Sequence, residues 1–320
     1  MRARTDPFPD RLPPSRTGTV RAVDGTRLHA QVFGPPDRYP IVLTHGSTCA
    51  IRAWAYQIDD LARGYRVIAY DHRGHGRSGM PKATGYSLKH LAADLDSVLE
   101  ATLAPHERAV LAGHSMGGIT IAAWSNRYRH KVSRRSDAVA LINTTTGELI
   151  RQVQLLSVPP GLSPARVLAG RALIGAFAGF AVPRAARVPS RHLVALLATG
   201  CDADPATARL VYELFENTAP AGWAGCARAL VSALGSRYLD LAGLTVPTLV
   251  IGSERDRLTP IGQSRRIAGS LLNLIELVQA ARRALLDAGT PATGEPAAAG
   301  ARRIGDPRPA HPPDQLIAGR

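Results

Sequence analysis

Ala109-Val-Leu-Ala-Gly113-His114-Ser115-Met116-Gly117-Gly118 is the stretch that decides the fold. Ala109 to Ala112 is a short apolar run of the kind a buried strand shows, and from Met116 the apolar spacing becomes helical to about Tyr128. Only a glycine, a histidine and a serine separate the two elements. A strand that passes into a helix over so few residues must turn so tightly that the serine backbone is strained, and the flanking glycines admit neighbouring segments. Such a turn lifts Ser115 above the end of a sheet at the start of a helix, where backbone N–H groups and the helix dipole favour developing negative charge. A bare G-x-S-x-G pattern occurs by chance; a strand before it and a helix after it make it informative.

The same rhythm extends outward in both directions. Thr19 to Val23, Asp24-Gly25 and Arg27 to Phe33 read as a strand, a tight turn and a second strand. Ile41-Val-Leu43 precedes Thr44-His45-Gly46, a helix spans about 54–63, and Arg66 to Tyr70 ends at Asp71. A second helix over about 87–103 leads back to Ala109, and Ala138 to Ile142 forms a fourth buried strand. Short apolar strands alternating with amphipathic helices predict a mostly parallel central sheet covered by helices on both faces, an α/β architecture. His45, Asp71 and Ser115 all fall just past strand ends, where functional groups of such sheets collect. Residues 1–17 read as a disordered arm. Between about 147 and 241 the pattern is helical without a clear strand, until Val246 to Ile251 restores the sheet; an all-helical insertion of this kind reads as a lid.

The chain has 320 residues, a net charge of +14 and 45% hydrophobic residues, the balance of a soluble globular protein. The excess charge is almost all arginine, and it is scattered. The densest run, Arg127 to Lys131 with Arg134 and Arg135, reads as a solvated helix end, so nucleic acid is not an expected partner. Cys49, Cys201 and Cys226 lie far apart and form neither a disulfide framework nor a metal-binding pair; no metal and no cofactor are expected. The first residues, proline-rich and charged, do not resemble a signal peptide, and with the free cysteines they suggest a cytoplasmic protein. Val167 to Val182 is apolar but shorter than the ~20 residues a spanning helix needs. It suits a helix over a greasy pocket, or a weak association with a membrane surface.

Taken together, these motifs resemble the α/β-hydrolase family over about residues 18–279. His45-Gly46-Ser47 is similar to that family's oxyanion loop, and the resemblance implies that the backbone N–H groups of Ser47 and Met116 receive the oxyanion. Asp71-His-Arg-Gly-His-Gly-Arg-Ser78 resembles its DxRGxGxS turn, which makes Asp71, His72 and His75 structural. Gly252-Ser-Glu-Arg-Asp256-Arg-Leu-Thr-Pro260 resembles the acid loop, with Asp256 orienting the catalytic histidine and Glu254 as the rival carboxylate; a cap for the helix after Pro260 is the plainer role for Asp256. A serine nucleophile separates the chain from the haloalkane dehalogenases and epoxide hydrolases, which carry Asp at the elbow. The resemblance implies a serine hydrolase acting on a small hydrophobic ester, thioester or lactone through an acyl-enzyme. A cofactor-free haloperoxidase and a catalytically inactive ligand-binding protein on the same fold stay open beside it.

The triad histidine should follow a Gly after one further strand, Leu274 to Val278. No histidine occurs between His192 and His311, and the expected Gly-His is replaced by Ala280-Ala-Arg-Arg-Ala-Leu-Leu-Asp287. Residues 280–320 are dominated by Ala, Gly, Pro and Arg and lose the strand–helix rhythm. Without its base Ser115 is a poor nucleophile, since loss of the triad histidine costs about 10⁶ in turnover. His311 substitutes only if the tail folds back over the sheet. A changed reading frame accounts for this end. Arg283 to Gly289 can be written CGG GCA CTG CTC GAT GCA GGC, which one base later reads Gly-His-Cys-Ser-Met-Gln. Sequencing the gene around codon 280 is expected to show an open shifted frame that continues into a final helix; a shifted frame that closes at once would make the tail a true divergent end.

Overall fold

The computed structural model describes residues 11–82, 84–148, 205–235, 237–256, 258–271 and 274–276. The apolar segment at 167–182 and the tail at 280–320 lie outside them, as does most of the expected lid. An eight-stranded sheet runs in the order β1-β2-β4-β3-β5-β6-β7-β8. Its strands are β1 (Ser15–Arg21), β2 (Arg27–Phe33), β3 (Pro40–Thr44), β4 (Arg66–Tyr70), β5 (Ala109–His114), β6 (Ser136–Ile142), β7 (Thr248–Ile251) and β8 (Leu274–Glu276). β1 and β2 pair antiparallel, as do β2 and β4; every pairing from β4 to β8 is parallel.

The first strand corrects one expectation: β1 begins at Ser15, not at Gly18, and Leu12 before it already packs against the core. Ser15 pairs with Phe33 and Thr17 with Gln31, so the backbone ladder of β2 sets the start of β1. β1 is a largely exposed polar edge strand, and hydrophobic alternation therefore could not reveal where it starts.

The described helices are α1 (Ala55–Leu61), preceded by a 3₁₀ turn at Ile51–Trp54, α2 (Leu88–Thr102), α3 (Met116–Arg127), α4 (Arg129–Arg135), α5 (Pro205–Asn217), α6 (Pro220–Leu234) and α7 (Ile261–Gly269). α2 starts where Ser87 caps it, the Ser87 oxygen accepting the His90 N–H. Strand side chains alternate between two cores. Val42, Ile68 and Leu111 face the core shared with Leu95, Leu99 and Trp124 of α2 and α3. Ile41, Leu43 and Val67 face the other, with Trp54 and Ile58. Both faces are therefore covered, as a parallel sheet requires.

The basic run spans two helices and ends both, with Arg127 in the last turn of α3 and Arg134 and Arg135 in the last turn of α4, and it is laced with ion pairs. Lys131 reaches Asp96 and Glu100, Arg135 reaches Glu100, and Arg129 reaches Asp240. The segment between β6 and β7 leaves and re-enters the domain through one clamp. Gly147 and Tyr238 form an antiparallel bridge, and the Leu239 N–H donates to the Thr146 carbonyl at 2.7 Å. Within that segment α6 lies against the Asp71–Gly79 turn; a Cβ on Gly222 would fall 1.9 Å from the Gly74 carbonyl oxygen. Among the described residues no helix is long and apolar enough to cross a membrane.

One buried ion pair ties these parts together. The Arg73 and Asp94 side chains are 1% and 0% exposed. The Arg73 Nε donates to Asp94 at 2.6 Å, a second nitrogen donates to the other Asp94 oxygen, and Nη1 donates to Asp24 at 2.8 Å. The guanidinium thereby links the β1–β2 turn, the turn after β4 and the middle of α2. Removing one partner of such a pair leaves an uncompensated buried charge. Asp94→Ala is expected to lower unfolding stability by about 3–5 kcal/mol in urea titration; an unchanged midpoint would show that the pair carries no such weight.

Candidate active site

β3 and β5 are neighbours, yet the chain runs from β3 to β4 on one side and reaches β5 on the other. The strand order therefore reverses between them, and the carboxyl ends of strands at such a switch point are the place where open α/β sheets hold their ligands. The loop 45–49 leaves β3 there, and Ser115 follows β5. Thr44 and Gly113 pair directly across the two strands.

Ser115 has φ +50° and ψ −116°, a conformation that L side chains rarely adopt. Three contacts fix it. Its N–H donates to the Ile142 carbonyl at 3.0 Å, while its carbonyl accepts the Ile119 N–H at 3.1 Å and the Thr144 hydroxyl at 2.7 Å. Glycine is obligatory around it: a Cβ on Gly117 would lie 2.1 Å from the Thr44 carbonyl oxygen, and one on Gly113 would lie 2.6 Å from Gly117. The strained elbow read from the sequence is the one observed. Met116, buried beneath it, is the first residue of α3, so its N–H has no place in the helix ladder.

The loop after β3 is a four-residue turn. The Cys49 N–H donates to the Gly46 carbonyl at 3.3 Å, and Thr48 in the third position has φ +57°. Ser47 occupies the second position, where the turn does not use the N–H. A Cβ on Gly46 would lie 3.3 Å from the Ser115 Cβ, which sets this turn directly beside the nucleophile elbow.

Behind the turn lies a cluster of neutral histidines. The His45 Nε2 accepts the His72 backbone N–H at 3.0 Å, so the ring carries its proton on Nδ1, which donates to the Gly46 carbonyl at 2.7 Å. The His72 Nε2 donates to the His45 carbonyl at 3.1 Å, and the His75 Nδ1 donates to the Arg73 carbonyl at 3.1 Å. Burial pushes His45 and His75 down to about 4 and His72 well below the usual imidazole value. Asp71 accepts the N–H groups of Ile51 and Arg77 at 2.8 and 2.9 Å, and burial raises its carboxyl. Asp71, His72 and His75 thus brace the turns behind the site.

Asp256 is half-buried beyond β7, and Glu254 is exposed. Both Asp256 oxygens are engaged locally: Oδ1 accepts the Leu258 and Thr259 N–H groups at 2.8 Å, and Oδ2 accepts the Thr259 hydroxyl at 2.6 Å. These bonds close the turn ahead of Pro260; they do not cap α7, whose N-cap is Pro260 with no side-chain cap, so the capping role read for Asp256 is not the one observed. The carboxylate also acts on His114: burial lowers that imidazole, and Asp256 pulls it back upward. Only β6 separates β5, which Ser115 follows, from β7, whose loop carries Asp256. No described residue hydrogen-bonds the Ser115 hydroxyl, and His192 and His311 lie outside the described residues. His114 and Thr144 were not singled out in the sequence; for the second, the run Thr144-Thr145-Thr146 just past an apolar strand was the available signal.

This site, with its strained serine and flanking amides, is that of an α/β hydrolase, and sequence comparison agrees. The family model of the alpha/beta hydrolase fold matches residues 39–289, and the chain belongs to that family and is by family a hydrolase. A non-heme chloroperoxidase of Burkholderia pyrrocinia is 31% identical over 269 residues, 81% of this chain and 87% of that one. A non-heme chloroperoxidase of Streptomyces lividans is 41% identical over 111 residues, 34% of this chain and only 39% of that relative. Among solved structures, an enol-lactonase from Burkholderia xenovorans is similar with a TM-score of 0.57 at 26% identity, covering 82% of this chain and 91% of that one.

The histidine cluster has a consequence for acid stability. A histidine lowered by folding contributes stability that is present above its unfolded value, about 6.5, and lost as pH falls toward its folded value of about 4. His45 alone corresponds to on the order of 3 kcal/mol over that window, and the raised carboxyl of Asp71 works in the opposite sense. Urea midpoints are expected to fall steadily between pH 7 and about 4.5, with a shallower slope in His75→Gln. A midpoint independent of pH in that range would contradict the neutral cluster.

Proposed function

We propose that this chain is a serine hydrolase of carboxylic ester or related acyl substrates, with Ser115 as nucleophile and the amides of Ser47 and Met116 as oxyanion donors. The observation that carries the reading is the positive φ of Ser115, a strain that persists only where glycines and a fixed carbonyl network impose it. In the proposed sequence the Ser115 Oγ attacks the acyl carbonyl and the developing oxyanion turns toward the two amides. Departure of the alcohol leaves an acyl-serine that water then cleaves. Asp256 is the acid that would orient an imidazole over the serine. The segment between Gly147 and Tyr238 would act as lid over a small hydrophobic substrate.

Turnover is expected to be slow. The family match extends to residue 289, and the sequence after β8 within it contains no histidine. With no imidazole from His192 to His311, Ser115 would act at its ordinary basicity. The same observation, with Asp256 bonded to its own loop, favours a second reading in which the site holds a hydrophobic ligand without turning it over. The chloroperoxidase relatives bear on the acyl acceptor: the same acyl-serine attacked by peroxide instead of water would make this a perhydrolase.

A fluorophosphonate probe separates these readings. Covalent labelling on Ser115 is expected, slow against intact serine hydrolases and absent in Ser115→Ala, with p-nitrophenyl ester turnover lower by a factor approaching about 10⁶. Labelling as fast as in an intact serine hydrolase would overturn the impairment, and none at Ser115 after prolonged exposure would overturn the nucleophile.

A further inference from the structure

His114, the residue between Gly113 and the nucleophile, has no place in the mechanism above. Its ring nevertheless occupies a decisive position. If Gly46 carried a Cβ, that atom would lie 2.8 Å from the His114 Nδ1 and 3.2 Å from its Cε1. Gly46 therefore rests against the imidazole with nothing between them. The same ring meets the Trp54 indole at a right angle, with centroids 6.5 Å apart at 90°. Trp54 itself is buried at the end of the 3₁₀ turn that follows the same loop, so the imidazole has a fixed aromatic neighbour as well as Gly46.

We propose that His114 is a positioning residue for the oxyanion turn: its imidazole, with Trp54 beside it, forms the floor on which Gly46 rests and so fixes the direction of the Ser47 N–H. The inference rests on the serine-hydrolase reading for its chemistry and on the packing of Gly46 for its geometry. The turn 46–49 is closed by a single long backbone bond, 3.3 Å from the Cys49 N–H to the Gly46 carbonyl, and it holds Thr48 in a left-handed conformation unfavourable to a β-branched residue. A turn so strained and so lightly bonded needs an outside support to keep one geometry. His45 provides part of it by donating to the Gly46 carbonyl, and His114 provides the surface beneath the Gly46 Cα. Burial keeps the His114 ring neutral against the pull of the Asp256 carboxylate, so no counter-charge is placed beside the amides that would receive an oxyanion. The other residues of this loop are explained by backbone bonding; His114 acts by shape.

Two measurements test this on the full chain, comparing wild type with His114→Ala and His114→Gln. The first is hydrogen exchange of peptides covering 45–49, against peptides from β3 and α3 as internal references. The second is the saturation kinetics of fluorophosphonate labelling. His114→Ala is expected to speed exchange at 45–49 by at least tenfold while the β3 and α3 peptides keep their protection. It should also lower the maximal labelling rate tenfold or more with little change in half-saturation, and His114→Gln, which keeps a planar amide in the same space, should restore most of both. Exchange at 45–49 within about twofold of wild type would overturn the proposal, as would loosening spread equally over β3 and α3, or a Gln variant as impaired as Ala. If the wild type is never labelled while exchange changes as expected, the serine-hydrolase reading fails and the packing role stands.

Discussion

The collision between the glycines after Ser115 and the end of β3 is the constraint from which the rest of the site follows. Gly117 sits so close to the Thr44 carbonyl that no other residue fits, and Gly118 meets the Thr144 side chain in the same way, with the hydroxyl at 2.7 Å from where a Cβ would be. α3 must therefore begin hard against the sheet, and the serine that joins it to β5 is driven into positive φ. The cost of that conformation, about 1–3 kcal/mol, is met by the packing of α3 against α2 and by the carbonyl bonds from Thr144 and Ile119. Because β3 is the strand that α3 presses on, the loop leaving β3 is brought beside the elbow as well. The serine elbow and the turn after β3 are two products of one close approach.

Around that junction charge is managed by burial and pairing. The neutral histidines behind the turn exchange hydrogen bonds with backbone groups only, which keeps the loop 45–49 rigid without placing a charge near it. Arg73, the most deeply buried arginine among the described residues, stands on the other side of the turn after β4, where Asp94 and Asp24 neutralise it. Its role is to hold the α2 face, the β1–β2 turn and the Asp71 loop in one register. The Asp71 loop in turn supplies the bonds that brace His45 and Ile51.

Much of this was legible in the sequence, for reasons that are local. The parallel strands announced themselves as short apolar runs because both faces of such a sheet are buried, and the elbow was legible because glycine spacing records a steric clash directly. The Ser15 start of β1 was not legible, since an exposed edge strand has no apolar face to alternate. Asp94 was readable in principle: it falls between Leu91 and Leu95 on the apolar stripe of α2, where a carboxylate needs a partner. Which arginine supplies that partner is set by a contact across 21 residues, and spacing alone does not carry it. His114 was passed over because its neighbours in the motif have stronger signatures, and its contact with Gly46 joins two separate loops. The bonds of Asp256 to Thr259 depend on how the chain turns ahead of α7, which the sequence does not spell out.

The central claim is that the Ser115 hydroxyl and the amides of Ser47 and Met116 form one oxyanion-binding unit. A crystal structure of the chain after exhaustive reaction with a small phosphonate tests it most directly. The account predicts a phosphonyl group on the Ser115 Oγ with its non-bridging oxygen about 2.7–3.1 Å from both backbone nitrogens. An adduct on another residue, or a phosphonyl oxygen turned away from Ser47 and Met116, would contradict it.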